Sequence, residues 1–178
     1  IWDDGLSPQG MPIPFDFEGV PKQKVVLIEN GIAKGVVYDS YTAGKEGTMS
    51  TGHGLPAPNT DGPMPLHLFM KEGDSSLEEM VASTKRGIYV TRFHYTNVVE
   101  PISTTITGLT RDGTFLIEAG KFKGAVKNFR FTNSILKALS QVSLISKDTR
   151  LVEGFFGGSR VPGLKIASFT FSGTTEVS

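Results

Sequence analysis

Leu27-Ile-Glu-Asn-Gly-Ile-Ala-Lys-Gly-Val-Val37 and Leu116-Ile-Glu-Ala-Gly-Lys-Phe-Lys-Gly-Ala-Val126 align without a gap, sharing the Leu-Ile-Glu, both glycines, the lysine and the last valine. Each stretch reads as a β-hairpin. A β-rich arm leads into a two-residue turn that ends in glycine and tolerates positive φ, and a second arm succeeds it. Turn chemistry alone would place the glycines. It would not reproduce the Leu-Ile-Glu and the spaced Lys-Gly, so the pair is read as an internal duplication covering residues 24–42 and 113–132.

Working outward, Thr104 to Ile117 reads as a further hairpin around Asp112-Gly113, and the turn at Gly120 extends it into a β-meander. Upstream, Pro8, Pro12 and Pro14 among glycines make Gly5 to Gly19 an extended loop. Ser75-Ser-Leu-Glu78 has capping-box spacing and predicts a helix from Ser76 to Lys85, with Leu77, Met80 and Val81 as its apolar stripe and Gly87 as its stop. After the second repeat, Thr132 or Asn133 is placed to cap a helix whose apolar face is Ile135, Leu136, Leu139 and Val142. Leu151 onward returns to loop, and Leu164 to Phe171 alternates as a terminal half-buried strand. The expected fold is α+β and β-rich, with antiparallel, partly barrel-like sheets built from two duplicated β-hairpin-plus-helix units in one compact domain over residues 1–178.

Composition narrows the function. Hydrophobic residues make up 38% and charged residues 20% of the 178, an ordinary balance for a chain that folds around a core. Lys plus Arg equals Asp plus Glu at 18 each, so no net positive field gathers phosphates, and no nucleic-acid partner is expected. The cations are read as dispersed and solvated, among them Lys22 and Lys24, Lys85 and Arg86, and Lys121 and Lys123. With no cysteine there is no disulfide, thiolate nucleophile or zinc-thiolate ligand, which fits the cytoplasm. No run approaches the roughly 20 apolar residues of a membrane span, so no membrane association is expected. The start at Ile1 suggests a piece of a longer protein.

The chemistry-bearing residues are sparse. None of the three histidines pairs with another at the four-residue spacing of a helical metal site. His67, in Pro65-Leu-His-Leu-Phe69, and His94 read as strand residues. His53 in Ser50-Thr-Gly-His-Gly54 is flanked by glycines that let a ligand approach the backbone, with the imidazole expected to stay exposed. Thr51, Gly52, His53 and Gly54 are therefore the candidate substrate-binding loop, set against a purely structural role for the same residues. Asp3 and Asp4, Asp16 and Glu18, and Glu78 and Glu79 are adjacent acids and read as solvated. Gly154-Phe-Phe-Gly-Gly158 lacks the lysine and serine or threonine of a phosphate loop and reads as a flexible turn. Neither catalytic nor metal-ligating residues are assigned.

Phe17-Glu-Gly-Val-Pro21, Val26-Leu-Ile-Glu-Asn-Gly31, Tyr38-Asp-Ser-Tyr41, Ser50-Thr-Gly52, Ser76-Leu-Glu-Glu79 and Thr84-Lys-Arg-Gly-Ile-Tyr-Val90 occur in an order that resembles the carboxy-terminal domain of TldD/PmbA proteins. The resemblance covers nearly the whole chain and weakens between Phe93 and Arg111. It implies a parent with an upstream half, acting in a dimeric intracellular peptidase whose members were described as modulators of DNA gyrase. In TldD-like members an upstream HExxxH and a cysteine of this domain hold zinc. PmbA-like, or TldE-like, members lack that set. Where the cysteine is expected, around Gly154 to Ser159, this chain has phenylalanine, glycine and serine, so the resemblance points to the metal-free kind. It implies that the domain is inactive alone, with zinc only in a partner subunit or an upstream domain. The implied partners are a TldD-like metal-bearing subunit or a second copy, and a peptide substrate. The alternative is a domain of a self-sufficient homodimeric zinc metallopeptidase.

Overall fold

The computed structural model describes residues 1–174, and over these the chain is mostly strand. In chain order the elements are β1 (Trp2–Asp3), β2 (Val25–Val26), β3 (Ile28–Glu29), β4 (Ile32–Ala33), α1 (Ser40–Glu46), β5 (Leu68–Phe69), α2 (Leu77–Ala82), β6 (Arg86–Glu100), β7 (Thr105–Glu118), β8 (Lys121–Ala125), β9 (Phe129–Ser134), α3 (Ile135–Leu139), β10 (Val142–Glu153), β11 (Gly158–Ile166) and β12 (Phe171–Thr174). The chain divides into two compact units. One comprises residues 1–72 and 148–162, the other, over the described residues, 73–147 and 163–174.

In the first unit β1 is a central strand, antiparallel to β2 on one side and to β5 on the other, and β5 in turn runs parallel to β11 through Phe69 and Arg160. Two residues suffice for β1 because its side chains are anchored. Trp2 stacks on buried Phe69 at 5.5 Å between ring centroids, with the Lys24 ammonium 5.1 Å from the indole. Asp3 points into the interior and is fully buried. The α1 helix, for which the sequence carries no apolar stripe, is closed at its start by Asp39 in a capping box with Thr42 and at its end by left-handed Gly47.

In the second unit β7 is the central strand. Its whole length pairs with β6, while on the opposite edge its first half pairs with β9 and its second half with β8. The expected turn at Asp112-Gly113 is not a turn. Both residues take positive φ, 61° and 126°, yet β7 continues through them and only its register with β6 slips. The corner where β8 hands over to β9 is held by buried hydroxyls. Thr114 donates to Thr110 at 2.8 Å, and Thr110 accepts the Phe129 amide at 2.9 Å.

The two hairpins read as a repeat do share turn and register. Ile28 and Glu29 face Ala33 and Ile32, as Ile117 and Glu118 face Phe122 and Lys121, and both turns have two positive φ values, Asn30-Gly31 and Ala119-Gly120. Their continuations differ. The first leads to α1 and the second to β9 before α3, so a duplicated hairpin-plus-helix unit is not confirmed. Nor, among the described residues, does either large sheet close into a barrel: each strand order has two ends, β10-β11-β5-β1-β2 and β12-β9-β7-β6. Ala119 is the less suited of the two turn residues at this conformation, because asparagine tolerates left-handed backbone better than alanine. Ala119→Asn is therefore expected to raise stability by about 0.5–1 kcal/mol, read as a higher thermal midpoint.

The capping box of α2 falls on Ser76 and Glu79, one residue later than the spacing suggested, and the helix is Leu77–Ala82 instead of running to Lys85. Ser134, and not Thr132 or Asn133, caps α3, whose five residues are too few to include Val142. The loop expected after Leu151 is strand as far as Glu153, and Gly154-Phe-Phe-Gly157 joins it to β11, with the Gly154 amide donating to the Gly157 carbonyl at 2.7 Å.

Candidate functional site

The largest fully buried side chains of the first unit, Phe131 belonging to the second, are not apolar. They are His53, His67 and Asp3. Asp3 is 0% exposed, and both its oxygens are used: Oδ1 accepts from His53 Nε2 at 2.9 Å and Oδ2 from the His67 amide at 2.7 Å. Because a carboxylate only accepts, His53 carries its proton on Nε2. Its Nδ1 lies 2.9 Å from Thr51 Oγ1. Burial opposes ionisation of Asp3. The hydrogen bonds from His53 and the His67 amide, with the positive field of His53 and Lys22, outweigh that and hold its carboxyl below the ordinary range.

A hydroxyl, an imidazole and a carboxylate in line suggest nucleophilic catalysis, but the surroundings rule against it here. Thr51 Oγ1 already accepts the Tyr38 amide at 2.8 Å and sits 3.2 Å from the Tyr38 carbonyl, and the imidazole of His53 is 1% exposed. The expectation of an exposed His53 is thus corrected. The backbone of the loop is equally occupied. Thr51 and His53 amides donate to Tyr38, Gly54 donates to Asp16 Oδ2 at 2.8 Å, and the carbonyls of Thr51, His53 and Gly54 accept from Gln23, Met64 and Phe17. Gly52 takes φ +73° with the Pro21 carbonyl so close that a Cβ would stand 2.5 Å from it. Thr51, Gly52, His53 and Gly54 form an internal brace, fixed on every side by this unit's own loops.

Asp16, like Asp3 and Lys22, was expected in solvent and is buried. Its Oδ1 accepts the amides of Glu18 and Val20, each at 2.9 Å, which closes the Phe15–Pro21 loop. Lys22 is 5% exposed. Burial pushes its ammonium down from the usual lysine range, against the pull of Asp3 and Asp16. His67, expected on a strand surface or partly buried, is 1% exposed, and both its ring nitrogens lack a partner. Burial and the charge of Lys22 hold its pKa below the ordinary value, against Asp3. It is therefore neutral when folded, whereas the unfolded chain takes up a proton below about pH 6.5. Stability from this site is present above that pH and declines below it. The urea midpoint is expected to fall between pH 7.5 and 5.5, and His67→Leu to flatten that decline.

Zinc does not fit these residues. Among the described residues no three His, Cys, Asp or Glu side chains come together as a metal site. His53 and Asp3 have spent their ligand atoms on each other, on the Thr51 hydroxyl and on the His67 amide, and His67 offers an imidazole with no free second donor beside it. Adjacent acids and a glycine-flanked histidine carried no sign of this burial in the sequence. No local signal could have found the cluster, because Asp3, His53 and His67 lie far apart in the sequence.

The fold is a β-rich α+β module, and comparison with known proteins gives it a family. Residues 1–173 match the model of the PmbA/TldA metallopeptidase C-terminal domain, and the chain belongs to that family. It is 30% identical over 187 aligned residues to the metalloprotease TldD homolog of Buchnera aphidicola, covering 98% of this chain and 38% of that protein. It is 31% identical to the Haemophilus influenzae homolog at the same coverage. Among solved structures it resembles TldE from Thermococcus kodakarensis, with a TM-score of 0.80, 32% identity and coverage of 97% of this chain and 39% of that one. The chain thus spans well under half the length of these relatives. Among the described residues no helix is long and apolar enough to cross a membrane.

Proposed function

We propose that this chain is the carboxy-terminal domain of a metal-free, non-catalytic, TldE-like subunit of a cytoplasmic peptidase. With a TldD-like metal-bearing subunit it would wall a dimeric chamber that admits unfolded peptides. The observation that carries this reading is the state of the donor atoms. In a family named for metallopeptidases, the chain has no cysteine, and its buried Asp3 and His53 are committed to each other. The likeness to TldE supports the same side of the family. Zinc would then reside in the partner subunit.

In this reading the substrate is held by strand addition. The outer edge of β6 carries no strand among the described residues, and Arg86 to Val90 is its longest regular stretch, in unbroken register with β7. Such an edge binds extended peptides through main-chain hydrogen bonds and so accepts many sequences. The Thr51–Gly54 loop, first considered for substrate contact, would contribute by bracing its own unit, since its imidazole and amides are already engaged. A second reading is favoured by relatives such as the zinc metalloprotease TldD homolog of Saccharolobus solfataricus, at 28% identity. In it, the full-length protein is a homodimeric zinc peptidase whose ligands lie outside this chain. Co-expression of the full-length protein with a TldD-like subunit tests the first reading: a stable one-to-one complex is expected, and a homodimer that excludes the second subunit would overturn it.

A further inference from the structure

The cations of the second unit are not evenly spread. From Ala119 to Lys147 the chain contains no aspartate or glutamate, and Lys121, Lys123, Lys127, Arg130, Lys137 and Lys147 within it are all exposed. The first two lie on β8, all five residues of which are exposed. One edge of β8 is bonded to β7, and the other carries no strand among the described residues. Beside its first residues, α2 and the β7–β8 turn enclose a groove of about 310 Å³ lined by Leu77, Glu78, Val81, Gly120, Lys121 and Phe122. Phe122, one apolar wall, is set edge-on against Tyr89 at 5.5 Å and Phe115 at 6.1 Å.

Lysines on a lone edge strand ordinarily deter sheet pairing, because an incoming strand would bury uncompensated ammonium groups. A strand that brings carboxylates removes that obstacle, so the same lysines become selective for acidic partners. Nucleic acid would match the charge. It would use neither the open row of backbone N–H and C=O groups nor an apolar groove, which an extended peptide uses together.

We infer that the β8 strip is a docking surface for an extended acidic peptide segment. The segment adds to the free edge of β8, seats an apolar side chain among Leu77, Val81 and Phe122, and sets its carboxylates against the flanking lysines. Glu78, on the α2 side of the groove, disfavours an acid in the apolar position. Since β8 and β6 lie on opposite edges of β7, this surface is separate from the edge assigned to the substrate and stands independently of the peptidase reading.

The test is fluorescence anisotropy of the 178-residue chain with labelled peptides of about ten residues in which glutamate alternates with leucine, against glutamine-for-glutamate and lysine-for-glutamate versions. The acidic peptide is expected to bind at least roughly tenfold more tightly than either control, and to lose that advantage in high salt or with the Lys121→Glu/Lys123→Glu variant. Both substitutions are at exposed positions, and an unchanged circular dichroism spectrum checks the fold. Slowed hydrogen exchange at Lys121 to Ala125 on binding is expected of strand addition. Equal affinity for the three peptides would overturn the inference. So would tighter binding of a single-stranded oligonucleotide at the same strip, or unchanged exchange on β8 in the presence of bound peptide.

Discussion

Asp3→Asn is expected to lower the stability of the fold by about 2–4 kcal/mol, the cost of losing a hydrogen bond to a carboxylate and leaving a buried donor unsatisfied. The asparagine keeps the shape but presents an NH2 to one of two donors, His53 Nε2 or the His67 amide, each of which now ends on a carboxylate oxygen. No water replaces the lost partner, because Asp3 is fully enclosed. Domains of this kind hold only about 5–15 kcal/mol in total, so a loss of this size shifts the urea midpoint far. A change under about 1 kcal/mol would show that the pair is solvated and contributes like a surface bridge. Thr51→Val, which removes the hydroxyl contact to His53 and also takes from the Tyr38 amide its acceptor, is expected to cost about 1–3 kcal/mol.

Gly52→Ala is expected to cost about 2–4 kcal/mol for two additive reasons. The residue sits at φ +73°, and its Cβ would be driven to 2.5 Å from the Pro21 carbonyl oxygen and 2.8 Å from the Lys22 Cα, both backbone atoms that cannot swing away. Gly31→Ala is the control. Its φ is +78°, but nothing lies within 4 Å of the built Cβ, so it isolates the backbone term at about 1 kcal/mol. Equal losses at both positions, measured by denaturant titration, would remove the clash with Pro21 from the account.

The contrast between these glycines shows how much a sequence can reveal. The Asn30-Gly31 and Ala119-Gly120 hairpins were legible because a two-residue turn imposes its conformation locally, and the capping box of α2 was legible to within one residue for the same reason. Asp112-Gly113 was misread because the same dipeptide serves a bulge when β6 pairs with β7 both before and after it, a tertiary constraint outside any local window. The end of α2 was overextended because Thr84 and Lys85 give their carbonyls to the Gly120 and Ala119 amides instead of to a further helical turn. The brace was hidden more deeply. Asp3, His53 and His67 meet only after β1 inserts between β2 and β5, so burial of an apparently solvated acid had no local signature. The segments that carry the family resemblance lie largely in this first unit, which is why kinship was legible where chemistry was not.

The central claim is that this chain serves a peptidase without holding its metal. It is tested most directly by metal analysis of the full-length protein purified without chelator, together with its hydrolysis of an unfolded peptide in the presence and absence of a TldD-like subunit. The account predicts no stoichiometric zinc and hydrolysis only with the second subunit. One zinc per chain with hydrolysis by the protein alone would contradict it and place the ligands outside this domain.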